Sequence, residues 1–442
     1  MKVGIVGGGI AGLAAALELT KRGHEVSVLE KGAGLGGQMS TFSVGGQRLE
    51  RFYHHMFTSD AELLGLIQEL GLGPRLRWFP SKVGFYHGGS VYNFVTPLDL
   101  LRFAPLGLVD RIRLGLLSLY LQRTSRWQRF ESLTAQEWLA RYAGRRGFEV
   151  VWGPLLRGKF GPSAGEVSMA WFWSKMRLRF GSRGRGMQRE RLGYVEGSFG
   201  LVIDALAQRI RGSGGRILTR CPVDRVRVGG GGLEVEVPRL GRTLAFDAVI
   251  ATVPSPRLLE MVPGLPDDYA SKLRDARYLA ALCLVLILKR PLSHIYWLNI
   301  SDPDIPFAAV IEHTNLVPPR HYGGRRVLYI SNYVPYNSPS LKLRPGQLLA
   351  RYLPHLKKIN PEFDMEWIER YYLFREEAAQ PIITTNYSKR LPGHRTPIPG
   401  LYVANTAQIY PEDRGMNYSL RLGLKVSQMV LEEGKGEIGD SY

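Results

Sequence analysis

The stretch Lys2-Val-Gly-Ile-Val-Gly-Gly-Gly-Ile-Ala-Gly12 decides the fold of this 442-residue chain. Its apolar residues Val3 to Val6 predict a buried strand, and the Ala- and Leu-rich run from Ile10 to Arg22 predicts a helix. A second apolar run, Val26 to Leu29, predicts the next strand. Strand, helix and strand in this order form a βαβ unit, which is the building block of an α/β fold.

The glycine turn between the first strand and the helix matches the pattern G-x-G-x-x-G. Gly7 permits the tight turn, Gly9 lets backbone N–H groups approach a pyrophosphate, and Gly12 lets helix and strand pack closely. Glu30 ends the second strand, where a carboxylate can accept hydrogen bonds from both hydroxyls of an adenosine ribose and would repel a 2′-phosphate. The pattern therefore predicts a dinucleotide site and disfavours NADP. The predicted contacts here are Gly7, Gly9, Ile10, Ala11, Gly12, Glu30 and Lys31.

A second glycine-rich turn, Gly34-Leu-Gly-Gly-Gln38, follows Glu30 by a few positions. Backbone at such a turn can reach a second part of an extended dinucleotide, and enzymes that bind NAD do not usually carry it. FAD is therefore the preferred cofactor. We expect Gly36, Gly37 and Gln38 to belong to its site.

The charge balance is strongly basic, with 58 Lys and Arg against 39 Asp and Glu and a net charge of +19. Such an excess favours an acidic substrate, a nucleotide, an anionic membrane surface or nucleic acid. Nucleic acid is poorly supported, because no recognition motif accompanies the charge. The nine His and two Cys show no metal-ligand spacing, so no metal site is predicted.

The cysteine content and the first residues indicate a cytoplasmic protein. Cys221 and Cys283 are too few for a disulfide framework in a chain of this size, so a reducing compartment is the default. No secretory leader precedes the first strand. The longest apolar run, Leu279 to Leu288, is half the length of a membrane span and predicts a strand buried on both faces.

The pattern of elements predicts two domains built from alternating segments. The expected fold class is α/β, with a discontinuous Rossmann-like FAD-binding domain (GR2-type) and an α+β substrate domain that includes a helical insertion. Strands in the middle of the chain, such as Val223 to Val228, return to the nucleotide-binding domain. The expected segments are 1–75, 191–265 and 391–442 for FAD binding, 76–190 for the helical insertion and 266–390 for the substrate-domain sheet.

These features resemble the flavin-containing amine oxidase superfamily, which includes protoporphyrinogen oxidases, phytoene desaturases and, more distantly, UDP-galactopyranose mutases. The resemblance covers a little under half of the chain. Besides the two glycine turns and Glu30, the motifs that carry it are Gly197-Ser-Phe-Gly200, Asp247-Ala-Val-Ile-Ala-Thr-Val-Pro254 and Gly400-Leu-Tyr-Val-Ala-Asn405.

The resemblance also implies how the segment Tyr410-Pro-Glu-Asp-Arg-Gly-Met-Asn-Tyr418 meets a flavin. The N–H groups of Met416 and Asn417 are expected to face the flavin N1 and C2 carbonyl, where Arg414 and the helix dipole would stabilise negative charge. Neither cysteine lies in this segment, where some members attach FAD covalently, so non-covalent FAD is expected. The implied contacts are Val223 with the adenine, Asn405 where many members have Gly-Asp, Arg414, Gly415, Met416 and Asn417.

Two groups of residues are candidates for catalysis. Tyr53, His54 and His55 either relay protons and contact substrate or form a buried aromatic loop that packs against FAD. Lys159 and Lys175 lie among the tryptophans of the helical insertion. Oxidases of the superfamily often use a lysine to hold a water near flavin N5, and either lysine could do so.

The expected function is FAD-dependent hydride transfer from an amphipathic or hydrophobic small molecule to flavin N5, with reoxidation by dioxygen or a quinone. Two alternatives stay open: a redox-neutral mutase acting on a nucleotide sugar, motivated by His55-Met56-Phe57, and a non-catalytic escort protein of the same fold. Two basic stretches, Leu98 to Arg129 and Lys175 to Arg191, suit either a solvated face or peripheral contact with the inner face of a membrane.

Overall fold

The computed structural model describes residues 1–182 and 190–439 of the chain. A π-helical turn, Phe148–Trp152, directly precedes one of its short helices. Its α-helices of five or more residues within those ranges are Ile10–Lys21, Ala61–Glu69, Pro97–Leu101, Leu108–Arg123, Ala135–Ala143, Gly153–Phe160, Met169–Gly181, Gly200–Gly212, Ser255–Met261, Asp267–Arg274, Pro345–Ile359 and Met416–Gly439.

A five-stranded parallel sheet forms the centre of the part expected to bind the dinucleotide. The first strand, Lys2–Val6, lies in the middle, and its neighbours on the two sides come from residues 25–29 and 248–251. Three separated stretches of sequence therefore build one sheet, and the predicted Rossmann-like α/β fold is confirmed. The strand order is Arg216–Leu218, Glu25–Leu29, Lys2–Val6, Ala248–Ala251, Leu401–Val403.

Two glycines set the packing around the first helix, Ile10–Lys21. A Cβ atom on Gly12 would stand 2.1 Å from the Gly7 carbonyl oxygen, so the helix could not approach its strand as closely with any other residue there. A Cβ atom on Gly423 would stand 2.1 Å from the Ala11 carbonyl oxygen. The final helix, Met416–Gly439, is thereby fixed directly against the first helix.

A small antiparallel sheet follows in the middle of the chain, made of Val226–Gly229, Gly232–Val237 and Arg242–Phe246. The sequence predicted a strand from Val223, and that start is wrong, because residues 223–225 lie outside the strand. Val223 is nevertheless buried, with 4% of its surface exposed. Its burial explains the apolar pattern that suggested a longer strand.

A seven-stranded mixed sheet forms the second layer of the molecule. Its longest buried strand, Tyr278–Leu288, has all eleven residues buried, which confirms the prediction for the apolar run at 279–288. Two of the seven strands come from residues before 100, so the sheet is not confined to the segment after 266. The strand order is Ile368–Pro381, Tyr278–Leu288, Arg326–Pro335, Ala309–Glu312, Trp297–Ile300, Val83–His87, Ser90–Asn93.

Two further small sheets connect the layers. A hairpin pairs Thr41–Val44 with Gln47–Glu50. A three-stranded antiparallel sheet has Arg191–Val195 in its centre, with Met56–Phe57 on one side and Leu76–Pro80 on the other. The loop that carries Tyr53 and the two histidines thus lies between two pieces of sheet.

The helical insertion packs around the helix Met169–Gly181, which carries Trp171 and Lys175. The helix Leu108–Arg123 contacts it, and the buried side chains of Leu114, Leu117 and Leu121 belong to the same hydrophobic cluster as Trp171. The insertion tryptophans are core residues, with Trp171 4% exposed. Part of the basic stretch from Lys175 to Arg191, residues 183–189, lies outside the described residues. Within the described ranges, none of the helices combines the length and the apolar character that crossing a bilayer requires.

Candidate functional site

The two glycine turns lie in direct contact. Gly9 and Gly36 form an isolated parallel bridge, and the Gly36 N–H donates to the Gly8 carbonyl at 2.8 Å. A Cβ atom on Gly37 would lie 3.4 Å from the Gly9 Cα. The first helix begins at Ile10, and its first N–H groups have no intrahelical acceptors. Gly9, the residue before it, has no side chain that could cap them. Together these glycines form an open cradle of backbone donors at a helix N-terminus.

The Glu30 carboxylate lies at the entrance to this cradle. One oxygen accepts the Gly8 N–H at 2.7 Å and the other accepts the Gly32 N–H at 2.6 Å. A carboxylate oxygen has two lone pairs, so each can accept a further hydrogen bond from a hydroxyl group. Lys31, the next residue, is exposed.

The residues expected near the adenine and the ribityl chain are buried but already bonded. The Val223 carbonyl accepts Arg257 Nη2 at 2.7 Å. Asn405 caps a short 3₁₀ turn, where its Oδ1 accepts the Ala407 N–H, and its Nδ2 lies 3.3 Å from Ser255 Oγ. The side chain of Asn405 therefore stabilises local structure.

Asp413 is the most highly connected side chain of the closing segment. Its Oδ2 lies 2.9 Å from Lys159 Nζ and 2.8 Å from Lys175 Nζ. Its Oδ1 accepts Trp171 Nε1 at 3.2 Å. Burial works to raise the pKa of Asp413, but the charges of the two lysines hold it well below its usual range. The candidate lysines of the insertion are therefore brought together by one buried carboxylate.

Arg414 links the closing segment to the second glycine turn. Its Nη1 donates to Gln38 Oε1 at 3.0 Å and its Nη2 donates to the Tyr333 hydroxyl at 2.8 Å. Its Nε donates to Gln380 Oε1 at 3.0 Å. Burial works to raise the pKa of Tyr333, whereas the charges of Arg414 and Lys159 lower it overall. This guanidinium is a positive charge fixed in place by three hydrogen-bond acceptors.

The final helix starts at Met416, immediately after Gly415. Its first N–H groups lack intrahelical acceptors, and this end carries the positive end of the helix dipole. The Asn417 side chain holds the neighbouring helix, since its Oδ1 accepts the Leu63 N–H at 2.8 Å and its Nδ2 donates to Glu62 at 2.7 Å. The backbone of Met416 and Asn417, rather than their side chains, is therefore what can face a ligand.

Tyr53, His54 and His55 lie near the same region. The Tyr53 hydroxyl lies 3.5 Å from the Tyr333 hydroxyl. Burial lowers the pKa of His54 to about 4. Burial together with the nearby charges of Arg179 and Lys175 holds the pKa of His55 well below its usual range. His55 Nδ1 lies 2.9 Å from the Tyr296 hydroxyl. Both imidazoles are thus neutral at physiological pH.

Sequence reasoning missed three participants. Tyr333 and Gln380 lie on strands whose spacing carries no motif, and Trp171 entered the prediction only as one of the tryptophans around Lys159 and Lys175. No local signal marks them, because each reaches the site through contacts with residues far away in sequence. Their common partners, Asp413 and Arg414, are adjacent opposite charges ahead of a helix, which was the one available sign.

The fold and the site together are those of a dinucleotide-binding protein. Two touching glycine turns at a helix N-terminus and the carboxylate after the second strand fit an extended dinucleotide. A profile of the flavin-containing amine oxidoreductases matches residues 10–431. The chain belongs to this family, FAD is its cofactor, and the predicted resemblance is confirmed.

Relatives with different substrates match the chain. It is 29% identical over 330 residues to the flavin-dependent L-tryptophan oxidase RebO of Lentzea aerocolonigenes, which covers 66% of each chain. It is 27% identical over 323 residues to the carotenoid phi-ring synthase of Streptomyces griseus, which covers 66% of this chain and 60% of the relative. The chain thus spans less than two thirds of the length of these relatives.

A solved structure of reduced UDP-galactopyranose mutase shares the fold. Its TM-score is 0.74 at 15% identity, over 98% of this chain and 94% of that one. At this identity the likeness concerns the fold alone. It therefore does not decide between oxidation and isomerisation.

Proposed function

We propose that the protein is an FAD-dependent oxidoreductase that takes a hydride from a carbon atom of an amphipathic or hydrophobic small molecule. The substrate also loses a proton, and dioxygen or a quinone takes up the two electrons with two protons. Bound FAD supplies the two-electron chemistry, which lies outside the reach of amino-acid side chains. The supporting observation is the buried Arg414, which is bonded to Gln38 of the second glycine turn. A fixed cation there stabilises negative charge that develops during reduction.

FAD is proposed to bind non-covalently along the cradle of glycines. Backbone donors of the two turns would hold the pyrophosphate, Glu30 the adenosine ribose, and the backbone of Val223 the adenine. The amides of Met416 and Asn417 would bind the oxygen-rich edge of the flavin ring. Cys221 and Cys283 are both buried and free elsewhere in the fold, which supports dissociable rather than covalent attachment.

The proposed role of the Tyr53 loop is to shape the site and exclude water. Tyr53 packs edge-on against Trp297 with ring centroids 4.8 Å apart, and His55 packs against the same ring at 5.8 Å. Because His54 has a lowered pKa of about 4, it is not protonated at neutral pH. This favours packing and orientation over proton relay for the two histidines.

An aromatic-rich site suits a substrate with a large apolar part. Tyr53, Trp297, Tyr333 and Trp171 all lie around the Arg414 and Asp413 contacts. Aromatic walls of this kind bind apolar and flat groups well. The names of the two relatives point to an aromatic amino acid and a carotenoid, both of which have large apolar parts.

We also propose that the protein is cytoplasmic and contacts the inner face of a membrane peripherally. The helix Leu108–Arg123 has an outer apolar stripe at helical spacing, with Val109 77% exposed and Leu116 62% exposed. We call the outer residues Val109, Ile112, Leu116 and Leu119 the insertion face. Exposed arginines lie on the same helix and in the adjoining segments of the chain: Arg102, Arg113, Arg123, Arg126 and Arg129. Exposed apolar residues accompanied by arginines match an anionic lipid surface, from which a hydrophobic substrate could be drawn.

Anaerobic flavin reduction tests the proposed activity. The holoenzyme is mixed without oxygen with L-tryptophan, with a carotene in detergent, or with protoporphyrinogen, and the flavin band near about 450 nm is followed. Bleaching by one of these compounds, reversed by oxygen or menadione, supports the oxidoreductase. The proposed activity is contradicted if none of these compounds bleaches the flavin and the dithionite-reduced protein interconverts UDP-galactopyranose and UDP-galactofuranose.

A further inference from the structure

The Asp413 cluster, defined as Asp413 with Lys159, Lys175 and Arg414, carries more positive than negative charge. Both lysines contact the same oxygen of Asp413, Oδ2, and the charge of Arg414 also acts on this carboxylate. The hydroxyls of Tyr53 and Tyr333 add no negative charge while they are protonated. Buried charges in proteins are normally balanced by opposite charges. The cluster as it stands has room for at least one further anion.

The next charges outward reduce this excess step by step. Arg179 lies on the same helix as Lys175 and pairs with Glu190 at 3.8 Å. With this pair and Asp60 included, four cations face three anions. Adding Arg421 with its partners Glu62 and Glu412 gives five of each, so the excess positive charge is confined to the immediate surroundings of the two lysines. The pKa of Lys175 is lowered by burial and by the charges of Lys159 and Arg179, which Asp413 only partly offsets.

The two lysines, unlike the carboxylate, reach open space. The side chain of Asp413 is 3% exposed, whereas those of Lys159 and Lys175 are 20% and 29% exposed. An ammonium group has three N–H donors. Within the described part of the chain each lysine donates one of them to Asp413. The carboxylate is therefore buried beneath two partly exposed lysines, each of which has further N–H donors to offer a ligand.

Aromatic rings frame the same donors. Lys159 Nζ lies 5.6 Å from the ring centroids of both Trp171 and Tyr333. This places cationic donors directly beside apolar ring faces. A ligand with a negative head and an apolar body would satisfy both features at once.

We propose that Lys159 and Lys175 form a subsite for a carboxylate group of the substrate, held in position by Asp413. The inference rests on the proposed oxidoreductase function, and it narrows the substrate class to amphipathic acids. Asp413 is a positioning residue in this subsite, since it orients the two lysines without touching the ligand. Cationic and neutral compounds of the same shape are disfavoured, because they leave the excess positive charge uncompensated.

Ligand binding to the oxidised holoenzyme tests the subsite without turnover. Calorimetric titrations compare decanoate, decanol and decylamine, which share an apolar chain and differ in the head group. Decanoate is expected to bind at least about tenfold more tightly than decanol, the gain of a charge-assisted contact, and decylamine is expected to bind more weakly than both. If the wild-type protein binds decanoate and decanol with equal affinity, the proposal is overturned.

Three variants assign the preference to the lysines. Lys159→Met and Lys175→Met each leave Asp413 paired with the other lysine, so the cluster stays folded, and each is expected to cut decanoate affinity about tenfold with little change for decanol. Arg177→Met is the matched control, since it removes an exposed cation from the same helix. An unchanged decanoate-to-decanol ratio in both lysine variants contradicts the subsite. If the protein prefers decanoate but none of the tested substrates reduces its flavin, the carboxylate subsite stands and the proposed oxidoreductase activity is contradicted.

Discussion

Lys175 Nζ lies 2.8 Å from Asp413 Oδ2, although 238 residues separate the two in sequence. The contact joins the helix Met169–Gly181 of the insertion to the loop that leads into the final helix. Lys159 joins the same oxygen from the helix Gly153–Phe160. One carboxylate therefore fixes the position of two insertion helices relative to the segment that carries Arg414.

The Asp413→Asn substitution should destabilise the protein strongly. It removes the buried negative partner of two partly exposed lysines and leaves their charges uncompensated. Breaking a fully buried ion pair costs about 3–5 kcal/mol, which is the upper limit for this change. Thermal unfolding of the holoprotein, followed by circular dichroism, should show a clearly lower midpoint. Addition of decanoate should restore part of the loss in the variant, because an added anion replaces the missing charge.

Glu412→Gln is the control for that substitution. Glu412 is the neighbouring residue, its side chain is 29% exposed, and its ion pair with Arg421 spans 3.5 Å. Surface pairs contribute about 0–1 kcal/mol, so this variant should melt close to the wild type. If Asp413→Asn and Glu412→Gln have the same unfolding midpoint, Asp413 does not stabilise the cluster.

The Glu30→Arg substitution should release FAD without unfolding the chain. The new side chain places a positive charge where two backbone N–H groups and the ribose hydroxyls need an acceptor. Purified variant should lack the flavin band near about 450 nm, and added FAD should not restore it. Glu30→Gln keeps a carbonyl acceptor and should retain more of the cofactor. Full flavin content in Glu30→Arg would contradict the ribose assignment.

The insertion face should bind anionic vesicles. We expect cosedimentation with phosphatidylglycerol vesicles, little with phosphatidylcholine alone, and weakening as salt rises from about 0.1 to about 0.5 M. The double variant Ile112→Glu/Leu116→Glu should lose this binding, because both side chains are exposed and carry apolar contact area. Val228→Glu, at a residue 68% exposed elsewhere, is the control. If the double variant still binds the anionic vesicles, the insertion face is not the membrane contact. If the wild type is a dimer that dissociates in the double variant, the face serves dimerisation instead.

The local parts of this structure could be predicted from sequence, and the long-range contacts could not. The glycines at 7, 9 and 12 require particular backbone geometry, so the βαβ unit follows from a dozen residues. The start of the strand at Val226 was misplaced, because burial of Val223 outside the strand produces the same apolar pattern. The contacts among Lys175, Asp413 and Tyr333 depend on how distant segments pack, which no local spacing encodes.

Buried Glu312 should make stability depend on pH in the neutral range. It ends the strand Ala309–Glu312, its Oε2 accepts the Ser293 N–H at 2.9 Å, and its Oε1 is buried without a hydrogen-bond partner among the described residues. Burial raises its pKa to about 8, with a smaller opposing effect from Arg326. The folded protein therefore keeps a proton on this carboxyl that the unfolded chain releases above about pH 4.5.

Because the folded chain holds this proton more tightly than the unfolded chain, the free energy of unfolding falls as pH rises. Glu312 favours the folded state fully below about pH 4.5, and this contribution declines as pH rises until it is lost above about pH 8. The decline from one group is at most about 1.4 kcal/mol per pH unit. Glu312→Gln removes the titration, so its melting temperature should depend less on pH between 5 and 9 than that of the wild type, and should exceed it at pH 9. Parallel pH profiles for the two proteins would show that this carboxyl is not protonated in the folded state.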